Sequence, residues 1–428
     1  MPWFSKEGFL NQETLNELTL TAAEETMNRI CRKPSRVLLL PPDITRAHCG
    51  AGRITELLYN FFSKYADVHV MPTLGQHLPH TPEQNRWMFG KIPEEKIHKH
   101  DWIRDSMKLG EVSADVVKEV SKGKADWPIP VCVNKILFEE KWDIILNIGH
   151  VVPHEVLGFA NHNKNYFIGL GGKEMICASH IMAACCGIEN NLGRLITPLR
   201  ACYNKAENDF LSSLPDAYIQ LVMAYDEKDN LVHTGFYCGD DLETYMQAAK
   251  ASEKQNITFL DDPPEKIVAV MQGDEFYSTW VANKAIYRTR MALKDNGELL
   301  IIAPGLKRFG EQPEVDEIIR KYGYTGTENV MRLYKEMPDL QNLSHATAHL
   351  IHGSTEGRFK VTYAPGHLTE KEIKQVNFNY ADLGETLKRY NPEKLKNGVN
   401  IMPDGEKIFF ISTPSAGLWT SRDRFFKN

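Results

Sequence analysis

Short, continuously apolar runs alternate with amphipathic helical stretches along most of this 428-residue chain. Val37-Leu38-Leu39-Leu40 is closed by Pro41-Pro42 and followed by a helical period from about Ile54 to Tyr65. Val68-His69-Val70-Met71 is followed by a helix opening at Thr81-Pro82-Glu83, where Thr81 can cap and Pro82 suits the first turn. Asp143 to Ile148 reads as a third strand running into a polar, histidine-rich segment, Gly149 to Lys164. Such alternation implies βα units around a mostly parallel sheet, with chemistry gathered at the carboxyl ends of the strands. Leu221 to Tyr225 and Leu231 to Tyr237 flank Asp229-Asn230 as a hairpin, and a helix from about Asp241 to Lys254 follows. Turn residues then cluster at Gln255-Asn256 and Asp261-Asp262-Pro263-Pro264, and the pattern restarts with Ile267 to Met271, a helix from about Thr279 to Leu293, Leu299 to Ile302, Phe359 to Tyr363 and Ile408 to Ile411.

A single core stops growing near ~250–300 residues. The expectation is therefore an α/β chain of two domains, 1–262 and 263–428, each with a mostly parallel sheet flanked by helices and the active site in the cleft between them. The net charge of -6 comes with no basic block, which argues against nucleic acid as a partner. No segment approaches the ~18 apolar residues of a membrane span, and Met1 to Glu7 lacks an apolar signal core, so the reading is cytoplasmic, without a membrane partner. The eight cysteines show neither a Cys-x-x-Cys pair nor zinc-finger spacing and read as buried thiols; Cys185-Cys186 reads as two small apolar residues on a helix rather than a redox pair.

Four polar clusters follow strands or open helices. In Asp43-Ile44-Thr45-Arg46, an arginine in a strand-to-helix turn suits a phosphate or ribose, and an Asp or Thr cap with a surface arginine explains the same residues. In Gly75-Gln76-His77-Leu78-Pro79-His80-Thr81, His77 sits just past a strand end, as a general acid or base or as a solvated ring. Gly149 to Lys164 holds three histidines and a lysine, too polar a run for core packing. Gly169-Leu170-Gly171-Gly172-Lys173 opens a helix that carries His180, with a spacing that is neither the P-loop nor the dinucleotide fingerprint.

Taken in order, these clusters resemble the lactate racemase superfamily, whose members use a nickel-pincer nucleotide. The Asp-x-Thr-Arg segment stands at Asp43 to Arg46 and Gly-x-His-x-Pro at Gly75 to Pro79. Pro-His, Gly-Phe and Lys stand at Pro153-His154, Gly158-Phe159 and Lys164, and the later helix histidine is His180. The steps of ten residues from His154 to Lys164 and sixteen from Lys164 to His180 also fit. The resemblance implies racemisation or epimerisation of a 2-hydroxy acid, with nickel and pyridinium-3,5-bisthiocarboxylic acid mononucleotide as cofactors and cofactor-biosynthesis enzymes as partners. It implies that Lys164 attaches the cofactor, that His180 is the protein ligand to nickel, and that Asp43, Thr45 and Arg46 hold the nucleotide. His77 and His154 would be the acid/base pair, one on each face of the substrate carbon, because a racemase handles both enantiomers. The cofactor would supply the hydride acceptor that histidine cannot.

The chain departs from that pattern in two places. Ala160-Asn161-His162-Asn163 replaces a Ser-Gly-Gly run before the lysine. In the second half, Lys284 stands near the place of the lysine that holds the substrate carboxylate, and Trp280-Val281 replaces a Tyr-Gln pair. Trp280 and Lys284 are thus the expected substrate contacts, and the different pocket wall suggests a sugar acid, a dicarboxylate or another non-lactate hydroxy acid, with Ser344 to His349 and His352 near its extra hydroxyls. Two other readings use the same residues: a zinc-dependent hydrolase or lyase built on His77, His150, His154 and His180, and a cofactor-free sensor of hydroxy acids. Lys164 argues against the first, and retention of both His77 and His154 against the second.

Overall fold

The computed structural model describes residues 1–30, 32–226, 230–273 and 276–426. Its contacts divide the chain into two compact units, Met1–Ser179 with Gly193–Gln255, and His180–Leu192 with Asn256–Asn428.

The main sheet of the first unit has six strands: β1 (Phe4–Leu10), β2 (Arg36–Leu40), β3 (Asp67–Val70), β4 (Ile144–His150), β5 (Asp216–Tyr225) and β6 (Leu231–Gly239). They lie in the order β1-β6-β5-β4-β2-β3. The four strands from β5 to β3 are parallel, and β6 and β1 add an antiparallel edge. The apolar run at 37–40 becomes a central strand because both faces are covered: Val37, Leu38, Leu39 and Leu40 are all at 0 % exposure, which stabilises the fold by about 1.5–3 kcal/mol per side chain. Its helices include α1 (Gln12–Ile30), α2 (Ala51–Phe62), α3 (Pro82–Phe89), α4 (Lys173–Cys186), α5 (Pro198–Phe210) and α6 (Leu242–Asn256), of which α4 continues past Ser179 into the second unit's segment. On one face of the sheet, Leu15, Ala22 and Ala23 of α1 and Ile54, Leu58 and Phe62 of α2 share a core with Val37, Leu39, Ile144 and Leu146. The α3 start is a full capping box: Thr81 Oγ1 accepts from the Gln84 N–H, and Gln84 Oε1 accepts from the Thr81 N–H.

The second unit has its own six-stranded sheet: β7 (Lys266–Val270), β8 (Glu298–Ala303), β9 (Lys360–Pro365), β10 (Asn379–Tyr380), β11 (Gly398–Ile401) and β12 (Lys407–Ile411), in the order β10-β9-β8-β7-β12-β11. All neighbours are parallel except the edge strand β11. Both sheets are thus mixed and mostly parallel, flanked by helices. The turn-rich segment 261–264 lies inside this unit, since Ile257–Leu260 just before it pairs with Leu418–Ser421. The single helix expected from Thr279 to Leu293 is instead two, Thr279–Ala282 and α7 (Lys284–Thr289), meeting at Asn283 with ψ -5°. Tyr363 Oη donates to the Asn283 side-chain Oδ1 at 2.7 Å, which anchors the residue at that break. A later helix, α8 (Ser344–Gly353), is buried along its whole length.

Among the described residues no helix is long and apolar enough to cross a membrane. No disulfide joins the described cysteines, and Cys49, Cys132, Cys186, Cys202 and Cys238 are buried. Cys31 and the hairpin residue Asp229 lie outside the described residues.

Candidate active site

β4, β2 and β3 are adjacent and parallel, so the loops after Leu40, Val70 and His150 leave the same edge of the first sheet. The pairing of β2 and β3 extends into the loops, where Pro42 bridges Thr73 and the Thr73 N–H donates to Pro41 O at 2.8 Å. Asp43 and His77 are thereby brought together. Asp43 caps the turn at 44–49: Oδ1 accepts from the Thr45 N–H at 3.0 Å and from Thr45 Oγ1 at 2.6 Å. Its Oδ2 accepts from His77 Nδ1. Burial pushes the Asp43 carboxyl up, but His77, Thr45 and the Arg46 charge together outweigh it and hold the group below the ordinary carboxylate range. Asp43 is therefore ionised and His77 Nδ1 is the donor, so that whenever the ring is neutral its lone pair is on Nε2.

His80 supports this turn from beneath. Its Nε2 accepts the Ile44 N–H at 2.9 Å, so Nδ1–H donates to Asn85 Oδ1 at 3.1 Å, and Asn85 Nδ2 donates to Glu94 Oε1 at 2.9 Å. Burial lowers the His80 pKa and keeps that ring neutral, as the arrangement requires.

His154 has the opposite tautomer. It lies in a small hairpin, Pro153–His154 against Gly158–Phe159, and is 8 % exposed. Gly158 closes the hairpin at φ +79°, where a Cβ would also overlap the Arg194 carbonyl. His154 Nδ1 accepts the Val156 N–H at 3.2 Å. The neutral ring then carries its proton on Nε2, which lies 4.0 Å from Glu155 Oε1. One histidine thus presents an Nε2 acceptor and the other an Nε2 donor.

Lys164 is partly buried. Burial first, and then the Arg46 charge, bring its amine down to about 8, against the opposite pull of Asp43 and Glu155. These influences place Lys164 in the same electrostatic surroundings as Asp43, Arg46 and Glu155. Among the described residues no carboxylate lies within ion-pair distance of Arg46. Glu155 was not singled out from the sequence, where it sits inside a long polar run, although it lies beside both Lys164 and His154.

The loop before Lys164 has two consecutive residues in the left-handed region, Asn161 at φ 70° and His162 at φ 59°. Each such residue costs about 1–3 kcal/mol unless its surroundings hold it. Asn161 Nδ2 donates to Gln220 Oε1, and its Oδ1 accepts from Asn165 Nδ2, both at 2.6 Å. Gly149 makes room for that amide, since a Cβ there would overlap it. The buried His162 ring stacks on Tyr218 with centroids 4.4 Å apart and packs against Tyr245 at 5.0 Å. Burial brings His162 down to about 4, so it is neutral. Positions that glycines would fill without strain are filled here by side chains that must be anchored.

His180 is partly buried on α4, at the start of the segment that packs with the second unit. Trp280 and Lys284 lie in that unit, one on each side of the Asn283 break. The Trp280 ring stacks on His349 at 4.6 Å and meets His345 edge-on at 5.9 Å. His349 Nδ1 lies 2.9 Å from Tyr287 Oη and Nε2 2.9 Å from Tyr324 Oη, so both nitrogens face tyrosine hydroxyls rather than a substrate's. Among the described residues no three His, Cys, Asp or Glu side chains converge as a metal-binding group.

The sequence from residue 11 to residue 191 matches the family model of the lactate racemase N-terminal domain. Residues 11–191 belong to the lactate racemase N-terminal domain family. That span contains Asp43, Thr45, Arg46, His77, His154, Lys164 and His180, and leaves out Trp280 and Lys284. The fold of the whole chain is that of a lactate racemase. It is similar to the lactate racemase apoprotein from Thermoanaerobacterium thermosaccharolyticum, with a TM-score of 0.69 at 15% identity over 95% of this chain and 92% of that one. A protein from Thermotoga maritima of known crystal structure has a TM-score of 0.81 at 25% identity, covering 97% of this chain and 100% of that chain. No curated protein matches the chain in sequence.

Proposed function

We propose that this chain racemises or epimerises a 2-hydroxy acid, using nickel and pyridinium-3,5-bisthiocarboxylic acid mononucleotide attached at Lys164. The observation that carries the reading is the pair of opposite tautomers at His77 and His154, in surroundings that also contain a depressed lysine. Inverting a carbinol centre needs a group that can take and return the hydroxyl proton on each face, and two histidines can supply those roles.

The residues fit the cofactor. An amine brought to about 8 is roughly one-tenth unprotonated at pH 7, far more than an ordinary lysine, and that fraction can attack an activated acyl group. Arg46, which has a like charge at Lys164 and no carboxylate within ion-pair distance among the described residues, suits the phosphate of an anionic nucleotide, and Thr45 and Asp43 shape the turn beside it. When bound, the group supplies the electron sink for C2, which no side chain of this chain offers. His180 is the proposed nickel ligand. Trp280 and Lys284 are the proposed substrate contacts, the lysine for the carboxylate. On the protein's side, His77 Nε2 takes the hydroxyl proton of one enantiomer, and Asp43 stabilises the imidazolium that forms. In the other direction His154 is the proposed base, a role that requires its ring to release the Val156 N–H and carry its own proton on Nδ1, which leaves Nε2, 4.0 Å from Glu155 Oε1, to take the hydroxyl proton.

Intact mass and nickel content, measured on protein co-expressed with the cofactor-building enzymes and on Lys164→Ala, test this. A mass increment with about one nickel per chain, both absent in the variant, is expected. Loaded protein is then expected to erode the optical purity of at least one member of a 2-hydroxy acid panel spanning lactate, dicarboxylates and sugar acids. An unmodified chain, or zinc in place of nickel, overturns the reading.

A further inference from the structure

The residue before Lys164 is clamped from one side by a single helix face. Asn163 is at 0 % exposure, and both its amide nitrogen and its amide oxygen are engaged. Oδ1 accepts from Arg200 Nη1, while Nδ2 donates to Asn204 Oδ1 at 2.8 Å and to Glu207 Oε2 at 3.0 Å. Arg200, Asn204 and Glu207 are spaced by four and three residues on α5, so they form one stripe of that helix. Arg200, 2 % exposed, also reaches the turn's backbone: Nη2 donates to Phe159 O at 2.6 Å, and Nη1 lies 3.5 Å from Asn161 O. Tyr245 Oη, 2.8 Å from Arg200 Nη2, closes the arrangement by donating to Phe159 O at 3.1 Å.

A buried guanidinium spends its donors where the geometry demands planarity and charge. Here they go to three residues of the turn whose left-handed pair, Asn161 and His162, sets the backbone entering Lys164. Glu207 lies 4.0 Å from the His162 ring and accepts from Tyr218 Oη at 2.8 Å, so the same stripe also steadies the stacked side of the turn.

We propose that Arg200 is a positioning residue for Lys164, acting with Asn204 and Glu207 through Asn163, and that the clamp aims the Lys164 amine for acylation. The proposal rests on the reading of Lys164 as the attachment point, but its test does not need the cofactor. The apo-protein is labelled with limiting acetic anhydride across pH 6 to 10, and acetylation is measured lysine by lysine by peptide mass spectrometry, in wild type, Arg200→Lys and Asn163→Ala. Wild-type Lys164 is expected to label early, with a midpoint near 8. In both variants its rate is expected to fall by about tenfold or more, or its midpoint to move toward an ordinary lysine's, while exposed lysines label as before. Thermal unfolding, followed in parallel, identifies a variant that has lost the fold, and Asn163→Ala carries the test if Arg200→Lys does not fold. Unchanged Lys164 labelling in a folded Asn163→Ala protein overturns the proposal. So does wild-type Lys164 that stays unlabelled while neighbouring lysines react. A clamp effect in protein that never gains cofactor mass would retain the positioning role and fail the attachment reading alone.

Discussion

The carboxylate of Asp43, carried on the loop after β2, accepts the Nδ1–H of His77 from the loop after β3. Because Asp43 stays ionised, this one bond selects which nitrogen of His77 is basic. Asp43→Asn keeps the shape and the cap on Thr45 but allows the amide to donate to Nδ1, which would move the ring proton to Nε2. Racemisation by the loaded enzyme is expected to fall by about a hundredfold or more, with cofactor mass retained. Rates near wild type would mean that Asp43 serves the turn and not the histidine.

Gly149 ends the apolar part of β4 against the Asn161 amide. Gly149→Ala drives a methyl group into that amide, with an expected loss of about 1–3 kcal/mol in stability by denaturant titration. Lys164 labelling is expected to slow along with it. A fully stable variant with normal labelling would show that the turn relaxes without consequence.

Asp216 Oδ2 lies 2.8 Å from Tyr218 Oη and 3.1 Å from Tyr166 Oη, and the Tyr218 hydroxyl has Glu207 at 2.8 Å as well. One hydroxyl hydrogen cannot serve both carboxylates, and burial pushes Asp216 up to about 7. Its unfolded value is about 3.9. Between those values the folded chain binds the extra proton, so this group's contribution to stability is present at low pH and is lost as pH rises through about 7. Asp216→Asn cannot ionise, and its Tm is expected to gain on wild type steadily from pH 4 to 7. Parallel Tm profiles for the two proteins would contradict this.

His349 stands between Tyr287 and Tyr324 in the second unit, and Trp280 lies flat on it. Thr279 Oγ1 donates to Phe309 O at 2.9 Å, so it accepts from Tyr324 Oη, which in turn accepts from His349 Nε2–H; Nδ1 then accepts from Tyr287. His349→Phe preserves the stack and removes both ring nitrogens. The expected destabilisation is about 1–3 kcal/mol, measured by chemical unfolding, from the hydrogen bonds that the two tyrosine hydroxyls lose. KM for the hydroxy acid is expected to rise more than kcat falls if Trp280 contacts substrate.

What the sequence revealed depended on how local each determinant is. The strand at Val37 to Leu40 and the Thr81 cap are written in adjacent residues, and both form as the pattern predicts. β1 was invisible because its residues are mostly exposed and its partner β6 lies more than two hundred residues later. The order of Asp43, His77, His154 and Lys164 was legible through resemblance, but the tautomers were not, because they depend on a carboxylate and a backbone N–H that only the fold supplies. Arg200, Asn204 and Glu207 were not singled out from the sequence. Nothing local to them says that Asn163 occupies the space where water would be.

The turn before Lys164 holds its shape by what fills it. Glycines would let the chain bend there whatever surrounded it, whereas Asn161, His162 and Asn163 make the bend depend on a helix some forty positions further along. Natural variation at 161–163 should therefore be tied to variation at 200, 204 and 207, and grafting either segment alone into a relative with a glycine turn should leave an orphaned charge or an unsupported loop.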